Sequence, residues 1–221
     1  MSAKSANVTI STGTITSNSL LTKLSKMRSN GFGCDIHIKV PKTPGGPALH
    51  SFSAHKLILS MCSPVFKTMF YGTSGTAMME ARTNEVTITD VTVPVMSAFL
   101  DFVYTDKLTK EVMDKHAKDL TMVAHKYQFD EMEAVCIQYL INNMNLSNAT
   151  QSLVLSQLLS NKELKENALA FIATNSKQML QQPDFMPSLS EGLWREVIEK
   201  LADRNPGHVS NTMKRGYPYS Y

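Results

Sequence analysis

The stretch Ser51–Phe70, SFSAHKLILSMCSPVFKTMF, decides how the rest of the chain is interpreted. Its first residues alternate between polar and apolar, as in a β-strand with one buried face. A short apolar segment follows, and then Ser63 precedes Pro64, a pair that suits the N-cap and first position of a new helix. Phe66 and Phe70 lie one helical turn apart on that helix. The stretch therefore predicts a strand followed by two short helices lying on a sheet.

The residues before and after this stretch predict the remaining parts of a mixed sheet. Residues 35–40 and 48–52 alternate around a Pro/Gly-rich turn, which indicates a β-hairpin, and residues 85–90 indicate a third strand. A helix is predicted from Asn18 to about Gly31. Its apolar stripe, which needs a partner surface from this chain or another, consists of Leu20, Leu21, Leu24 and Met27.

The pattern becomes purely helical in the second half of the chain. Helices are predicted from Pro94 to about residue 144, and further amphipathic helices follow up to about residue 203. Asp130 and Glu133 have the spacing of a capping box. We therefore predict an α/β (α+β) chain with a disordered segment at 1–17, a mixed domain at 18–144, a helical block at 145–203 and a flexible tail at 204–221.

Composition and charge exclude several functional classes. The 221 residues carry a net charge of +3 with acids interleaved among the bases, so we expect no nucleic-acid partner. No apolar run approaches the roughly 20 residues of a membrane span, and no signal peptide is recognisable. Cys34, Cys62 and Cys136 are widely spaced, which suits thiols in a reducing compartment. We expect an intracellular protein of the cytoplasm, the nucleus or both, with no membrane contact.

The search for catalytic motifs yields none. The sequence has no phosphate-binding glycine loop, no HExxH and no GxSxG, and its histidines are dispersed. His55 is interpreted as a structural group, since it directly precedes an apolar helix. We therefore predict that the chain is not an enzyme and has no catalytic, cofactor-binding or metal-binding residues. Met78 and Glu80 differ from the other residues, because an apolar side chain and an acid in a Gly/Ser/Thr-rich region suit a protein interface.

These elements together resemble the BTB/POZ domain. The resemblance covers residues 18–144. It is carried, in the expected order, by Asp35-Ile36, Phe52-Ser53-Ala54-His55-Lys56, Ser63-Pro64-Val65-Phe66, Met69-Phe70, Val86-Thr87-Ile88, Asp90-Val91, Phe102-Val103-Tyr104-Thr105 and Ala124-His125-Lys126-Tyr127. The helical remainder is similar to the 3-box and partial BACK region of speckle-type POZ protein and its relatives.

The resemblance implies a BTB homodimer that acts as a substrate adaptor for a cullin-RING ubiquitin ligase, with a cullin of the third class as partner. It implies cullin contacts at Met78, Glu80 and Tyr127. It implies a dimer interface formed by the N-terminal helix stripe, with Asp35 and Lys56 close together beside it. An alternative remains: a BTB scaffold, or a dominant-negative partner of related BTB proteins, that never binds a cullin.

Three departures from the family pattern affect these expectations. The segment between Phe70 and the apolar-x-Glu pattern at Met78 is a few residues longer than is usual, which bears on cullin affinity. Adaptors of this family usually carry a MATH domain ahead of the BTB domain or Kelch repeats behind it, and residues 1–17 are too few to form a MATH domain. Asp106 stands where the family generally has glycine after Tyr-Thr. Asp tolerates the left-handed backbone conformation better than most residues do.

Overall fold

The computed structural model describes residues 18–43, 45–72 and 83–204. Three strands lie in these ranges, β1 (Ile36–Pro41), β2 (Leu49–Ala54) and β3 (Glu85–Thr87). The helices are α1 (Asn18–Ser29), α2 (Lys56–Cys62), α3 (Pro64–Tyr71), α4 (Val93–Thr105), α5 (Lys110–Lys126), α6 (Asp130–Asn142), α7 (Ala149–Leu158), α8 (Lys162–Thr174), α9 (Ser176–Met179) and α10 (Glu191–Arg204). The predicted α/β class is confirmed.

The three strands form a mixed sheet in the order β2-β1-β3. β1 pairs with β2 in the antiparallel direction, with Ile38 opposite Phe52, and with β3 in the parallel direction, with Ile38 opposite Val86. Alternation in β1 places Ile36, Ile38 and Val40 in fully buried positions. The central strand thus pairs with a neighbour along each edge and buries one face.

The chain divides into two compact units, and the first contains the sheet and residues 66–108. Its core joins the buried face of β1 to aromatic residues of α3 and α4, with the Phe66 and Phe70 rings stacked at 5.6 Å between centroids. α4 is apolar almost all round, because it packs on β1, α1 and α2. This unit therefore has the predicted arrangement of a small sheet with helices packed on it.

Left-handed residues end two helices of this unit. Gly31, at a φ of 68°, follows α1, and the N–H of Phe32 donates to the Met27 carbonyl at 3.0 Å. Asp106, at a φ of 56°, ends α4 and donates its N–H to the Phe102 carbonyl. The expectation that Asp106 accepts the left-handed conformation is confirmed.

The second unit contains residues 63–65 and the described residues from Thr109 onward. α5 packs against α6, and α8 contacts α6, α7 and α10. Its hydrophobic core includes Phe185 and Trp194, whose rings meet edge to face at 6.1 Å between centroids. Residues on both sides of position 145 belong to this one unit, while the predicted domain limits at 18–144 and 145–203 stay predictions.

Some local predictions differ from the structure. Asp130 is the first residue of α6 rather than its cap, Phe129 occupies the cap position, and no side-chain cap bond forms there. Glu133 instead accepts from His125, with Nδ1 and Oε2 3.2 Å apart, so the capping-box prediction is wrong. The β3 strand is also shorter than the predicted residues 85–90.

Candidate protein-interaction surfaces

The predicted dimer stripe lies on α1, which packs against α4 in the same unit. Leu20 is 65% exposed, whereas Leu21, Leu24 and Met27 are half-buried. The Arg28 guanidinium pairs with the Asp101 carboxylate and lies 5.2 Å from the centre of the Tyr104 ring. The helix is therefore attached to α4 near its C-terminal end, and Leu20 near its N-terminal end is left uncovered in a single chain.

Asp35 and Lys56, the two charged residues predicted beside the dimer interface, lie close together. The Asp35 carboxylate accepts from the backbone N–H of Lys56 at 2.8 Å, which satisfies an N–H group at the start of α2. The Lys56 ammonium donates to the Asn84 side-chain oxygen at 2.5 Å. The contact seen for Asp35 thus stabilises a helix end, and the part of both residues in dimer formation stays a prediction.

A buried hydrogen-bond network connects β2, α4 and the segment after α1. The Tyr104 hydroxyl oxygen accepts from the backbone N–H of His55 at 2.9 Å and lies 2.7 Å from His55 Nδ1. His55 Nε2 lies 2.9 Å from the Phe32 carbonyl, which can only accept, so in the neutral ring Nε2 donates and Nδ1 accepts from Tyr104. The network engages the backbone N–H and both ring nitrogens of His55, in agreement with its interpretation as a structural group.

Burial dominates the electrostatics around this network. It raises the pKa of Tyr104 to about 12, so the phenol stays protonated and can donate to His55. Burial and the nearby Asp35 charge also raise the pKa of the Cys34 thiol, whose Sγ lies 3.8 Å from His55 Nε2. A raised thiol pKa lowers the thiolate fraction, which is the opposite of what a nucleophilic cysteine needs.

Tyr127, the third predicted cullin contact, follows α5 and is 3% exposed. Its carbonyl accepts from the Ser63 hydroxyl, and the Lys126 ammonium lies 5.4 Å from the centre of its ring. The ring is therefore mainly part of the packing of the second unit. Its role in cullin binding stays a prediction.

Met78 and Glu80, the other two predicted cullin contacts, lie outside the described residues.

A surface that the sequence did not predict runs between α5 and α7. Two adjoining cavities of about 410 Å³ each share Lys118, Gln151 and Leu155, and together we name them the α5–α7 groove. One end is apolar and includes Met122 and Val154. Helical periodicity could have indicated it, since Met122, Val154 and Leu158 are apolar residues left 40%, 38% and 63% exposed.

The other end of the α5–α7 groove is polar. Asp114 accepts from Lys110, with Nζ and Oδ2 2.7 Å apart, and from the Tyr139 hydroxyl. The bond from Lys110, followed by that from Tyr139, lowers the pKa of the Asp114 carboxyl. Within the described ranges, Lys115 and Lys118 form no such pair. The groove therefore combines an apolar trough with two lysines that form no ion pair within the described ranges.

The described residues contain no cluster of three or more His, Cys, Asp or Glu side chains that could hold a metal ion. Across the same ranges, no helix combines the length and the apolar character needed to cross a membrane.

Comparison with protein families matches residues 24–144 to the BTB/POZ domain, which is more than half of the chain. The chain belongs to the BTB/POZ domain family. BTB/POZ domains are protein-interaction modules that commonly self-associate or heterodimerise, and they are generally not enzymes. The function shown for this BTB/POZ chain is accordingly protein–protein interaction, and nothing in the comparisons points to catalysis.

Curated relatives include two mouse proteins. TD and POZ domain-containing protein 3 is 32% identical over 154 residues, or 70% of this BTB/POZ chain and 40% of the relative. TD and POZ domain-containing protein 5 is 35% identical over 150 residues, or 68% of this chain and 40% of the relative. The chain thus spans about two fifths of the length of these relatives.

Among solved structures, the BTB domain of zebrafish PATZ1 is similar, with 24% identity, a TM-score of 0.44, and coverage of 58% of this chain and 92% of that domain.

Proposed function

We propose that this BTB/POZ chain forms a homodimer that acts as an adaptor for a cullin-RING ubiquitin ligase, with a cullin of the third class as its partner. The observation that carries the proposal is the family match over residues 24–144 together with the apolar face of α1, whose Leu20 is 65% exposed. The proposed place of action is the cytoplasm, the nucleus or both.

The dimer part of the proposal follows from the exposed apolar surface. Burying a leucine-sized side chain stabilises an interface by roughly 1.5–3 kcal/mol, and a two-fold dimer is the simplest closed assembly in which two α1 helices cover each other. Asp35 and Lys56 are proposed to lie beside this interface. Related BTB proteins that present a similar α1 face could take the place of the second copy.

The cullin part rests on the sequence Met78-Met79-Glu80, which matches the apolar-x-Glu pattern of cullin-binding relatives. An unbranched methionine fits irregular pockets, and a glutamate can accept charge-assisted hydrogen bonds from partner N–H groups. Tyr127 is proposed to complete the contact. Residues 145–203 are proposed to be a 3-box and partial BACK segment like that of speckle-type POZ protein.

Titration of the purified chain against the N-terminal region of the cullin tests this proposal. Met78→Ala and Glu80→Ala should each weaken binding by about 30-fold, the effect of losing an interface anchor worth about 2 kcal/mol. Met79→Ala is the matched control and should change affinity much less. Absence of binding by the wild type at tens of micromolar would refute the adaptor function.

A second function, a BTB scaffold or dominant-negative heterodimer partner without cullin binding, is favoured by one observation. Tyr127 is 3% exposed and offers little surface to a partner. Under this alternative the chain would pair with related BTB proteins and would not bind the cullin. Co-purification from cells, with the cullin and BTB proteins quantified by mass spectrometry, distinguishes the two functions.

A further inference from the structure

The apolar end of the α5–α7 groove is a partly exposed trough between two helices. Met122 on α5 and Val154 and Leu158 on α7 are 40%, 38% and 63% exposed, although large apolar side chains usually lie in the core. Thr150, Gln151 and Ser188 also line it and carry hydrogen-bonding groups. Apolar side chains surrounded by polar groups are typical of a surface that a partner covers.

Charge limits which partner fits. Among the described residues that line the apolar end, Lys118 is the only charged one. In the adjoining polar end, the Asp114 carboxylate is engaged by Lys110 and Tyr139. The other charged side chains lining that end are Lys115, Lys118 and Asp119, and none of them forms an ion pair within the described ranges. The two lysines therefore outnumber the one acid. A carboxylate on the partner, placed beside its apolar residues, would complement Lys118.

The polar end also offers one side-chain amide to an extended backbone. Asn143, Asn145, Asn148 and Gln151 line it, and side-chain amides both donate to and accept from peptide groups. Most of the capacity of the three asparagines is used within the chain. Asn143 donates to the Tyr139 carbonyl, and the amide N–H and C=O groups of Asn145 and Asn148 bond within the turn before α7. Gln151 is exposed and lines both cavities, so it lies where a peptide backbone would pass from one end to the other.

We propose that the α5–α7 groove binds a linear segment of a partner protein in which a carboxylate side chain stands next to two bulky apolar residues. The apolar pair covers Met122, Val154 and Leu158, and the carboxylate contacts Lys118. This inference does not depend on the cullin proposal, because the groove lies apart in sequence from Met78 and Glu80 and the test uses peptides alone.

Selection of random linear peptides displayed on phage, with the full chain as bait, tests the preference directly. The wild type should enrich peptides with Asp or Glu beside two apolar residues. One enriched peptide, and a copy with lysine in place of its acids, are then titrated by fluorescence polarisation. The lysine copy should bind at least about threefold more weakly, as expected for the loss of an exposed charge pair.

Groove variants locate the binding site. Leu158→Asp and Val154→Asp should weaken binding of the enriched peptide by about tenfold or more, since they place a second carboxylate in the apolar trough. Lys118→Glu should weaken it by roughly threefold to tenfold and should restore binding of the lysine copy. Lys177→Glu and Leu180→Asp, at exposed positions that do not line the groove, are the matched controls and should bind like the wild type.

Several outcomes would overturn the proposal. These are no enriched peptide, equal binding of the acidic and lysine peptides, or equal binding by all groove variants. A smaller assembly of Leu158→Asp in sedimentation would also overturn it, because the groove would then be covered by a second copy of the chain. Loss of peptide binding with cullin binding intact would refute this inference alone, whereas the reverse would refute only the adaptor proposal.

Discussion

At the scale of single residues, the Tyr104 hydroxyl joins groups that no sequence motif had linked. Its oxygen accepts from the His55 backbone N–H, and its O–H donates to His55 Nδ1. The other ring nitrogen of His55, Nε2, donates to the Phe32 carbonyl. Both Tyr104 and His55 are buried, at 0% and 8% exposure, so water cannot replace a lost bond. A buried polar group without a partner is costly, which makes this hydroxyl important for stability.

Tyr104→Phe removes this hydroxyl and should lower the free energy of unfolding by about 1–3 kcal/mol, because two polar groups of His55 lose their partner. Urea denaturation measures the effect. Tyr71→Phe is the control, since Tyr71 is 52% exposed, and it should change stability very little. Equal stability of Tyr104→Phe and the wild type would show that the network contributes nothing.

The buried thiol of Cys136 leads us to expect a lower free energy of unfolding at alkaline pH. Burial raises the pKa of its thiol to about 12, whereas an unfolded cysteine has a pKa of about 8.5. Between these values the unfolded state releases the proton and the folded state keeps it. The contribution of the thiol is therefore fully present below about pH 8.5 and declines above it, by up to about 1.4 kcal/mol per pH unit.

Cys136→Ala should consequently show a shallower decline of unfolding free energy between about pH 8.5 and pH 10 than the wild type, although it starts from a lower value because the cavity costs stability. Denaturation at a series of pH values, under reducing conditions, measures both curves. Parallel curves would show that the thiol titrates alike in both states.

At the scale of helices and strands, helix ends depend on local chemistry to different degrees. Asn161 caps α8, because its side-chain oxygen accepts from the Leu164 N–H at 2.8 Å. Asp130 has equally suitable chemistry, but the chain enters α6 one residue earlier, with Phe129 at the cap position and 5% exposed. Burial of an aromatic side chain there outweighs a cap bond worth about 1 kcal/mol.

Asn161→Ala should destabilise the second unit by about 0.5–2 kcal/mol through the loss of this cap. Asn167→Ala provides a matched control, since Asn167 is exposed inside the same helix and alanine has the higher helix propensity. Thermal denaturation followed by circular dichroism should therefore separate the two alanine variants, with only Asn161→Ala melting below the wild type. The opposite order would contradict the capping role.

At the scale of the whole molecule, the family assignment and the exposed surfaces point to assembly. α1 covers part of its apolar stripe on α4 within one chain, yet Leu20 stays 65% exposed. In the other unit, the α5–α7 groove leaves a second apolar surface uncovered. Stable protein interfaces are built around such apolar patches with polar edges, which is consistent with a module that binds proteins.

Leu20→Asp should convert the proposed dimer into a monomer at micromolar concentration, because a carboxylate within the proposed α1 contact would be buried without a partner. Sedimentation equilibrium gives the mass directly. Leu180→Asp changes a leucine that is 42% exposed in the other unit and should leave the dimer intact. A monomeric wild type would remove the basis of the dimer proposal.

Much of the fold could be predicted from the sequence, because its signals are local. Alternation in β1, helical periodicity around Phe66 and Phe70, Gly31 after α1 and Asp106 after α4 each act within a few residues. The ordered set of motifs then sufficed to indicate the BTB/POZ domain. Boundaries were less predictable, since pairing with β1 and not the pattern of residues 85–90 determines the length of β3.

The sequence by itself determined the element order, the mixed α/β class and the absence of recognisable catalytic motifs, because periodicity, turn residues and motif spacing are properties of the chain alone. Only the tertiary structure decided which side chains meet and which stay exposed. It placed Tyr104 against His55, 49 positions earlier, buried Tyr127, and left Leu158 exposed above a groove. Such outcomes depend on packing between elements that are distant in sequence, and no local pattern encodes the distance between them.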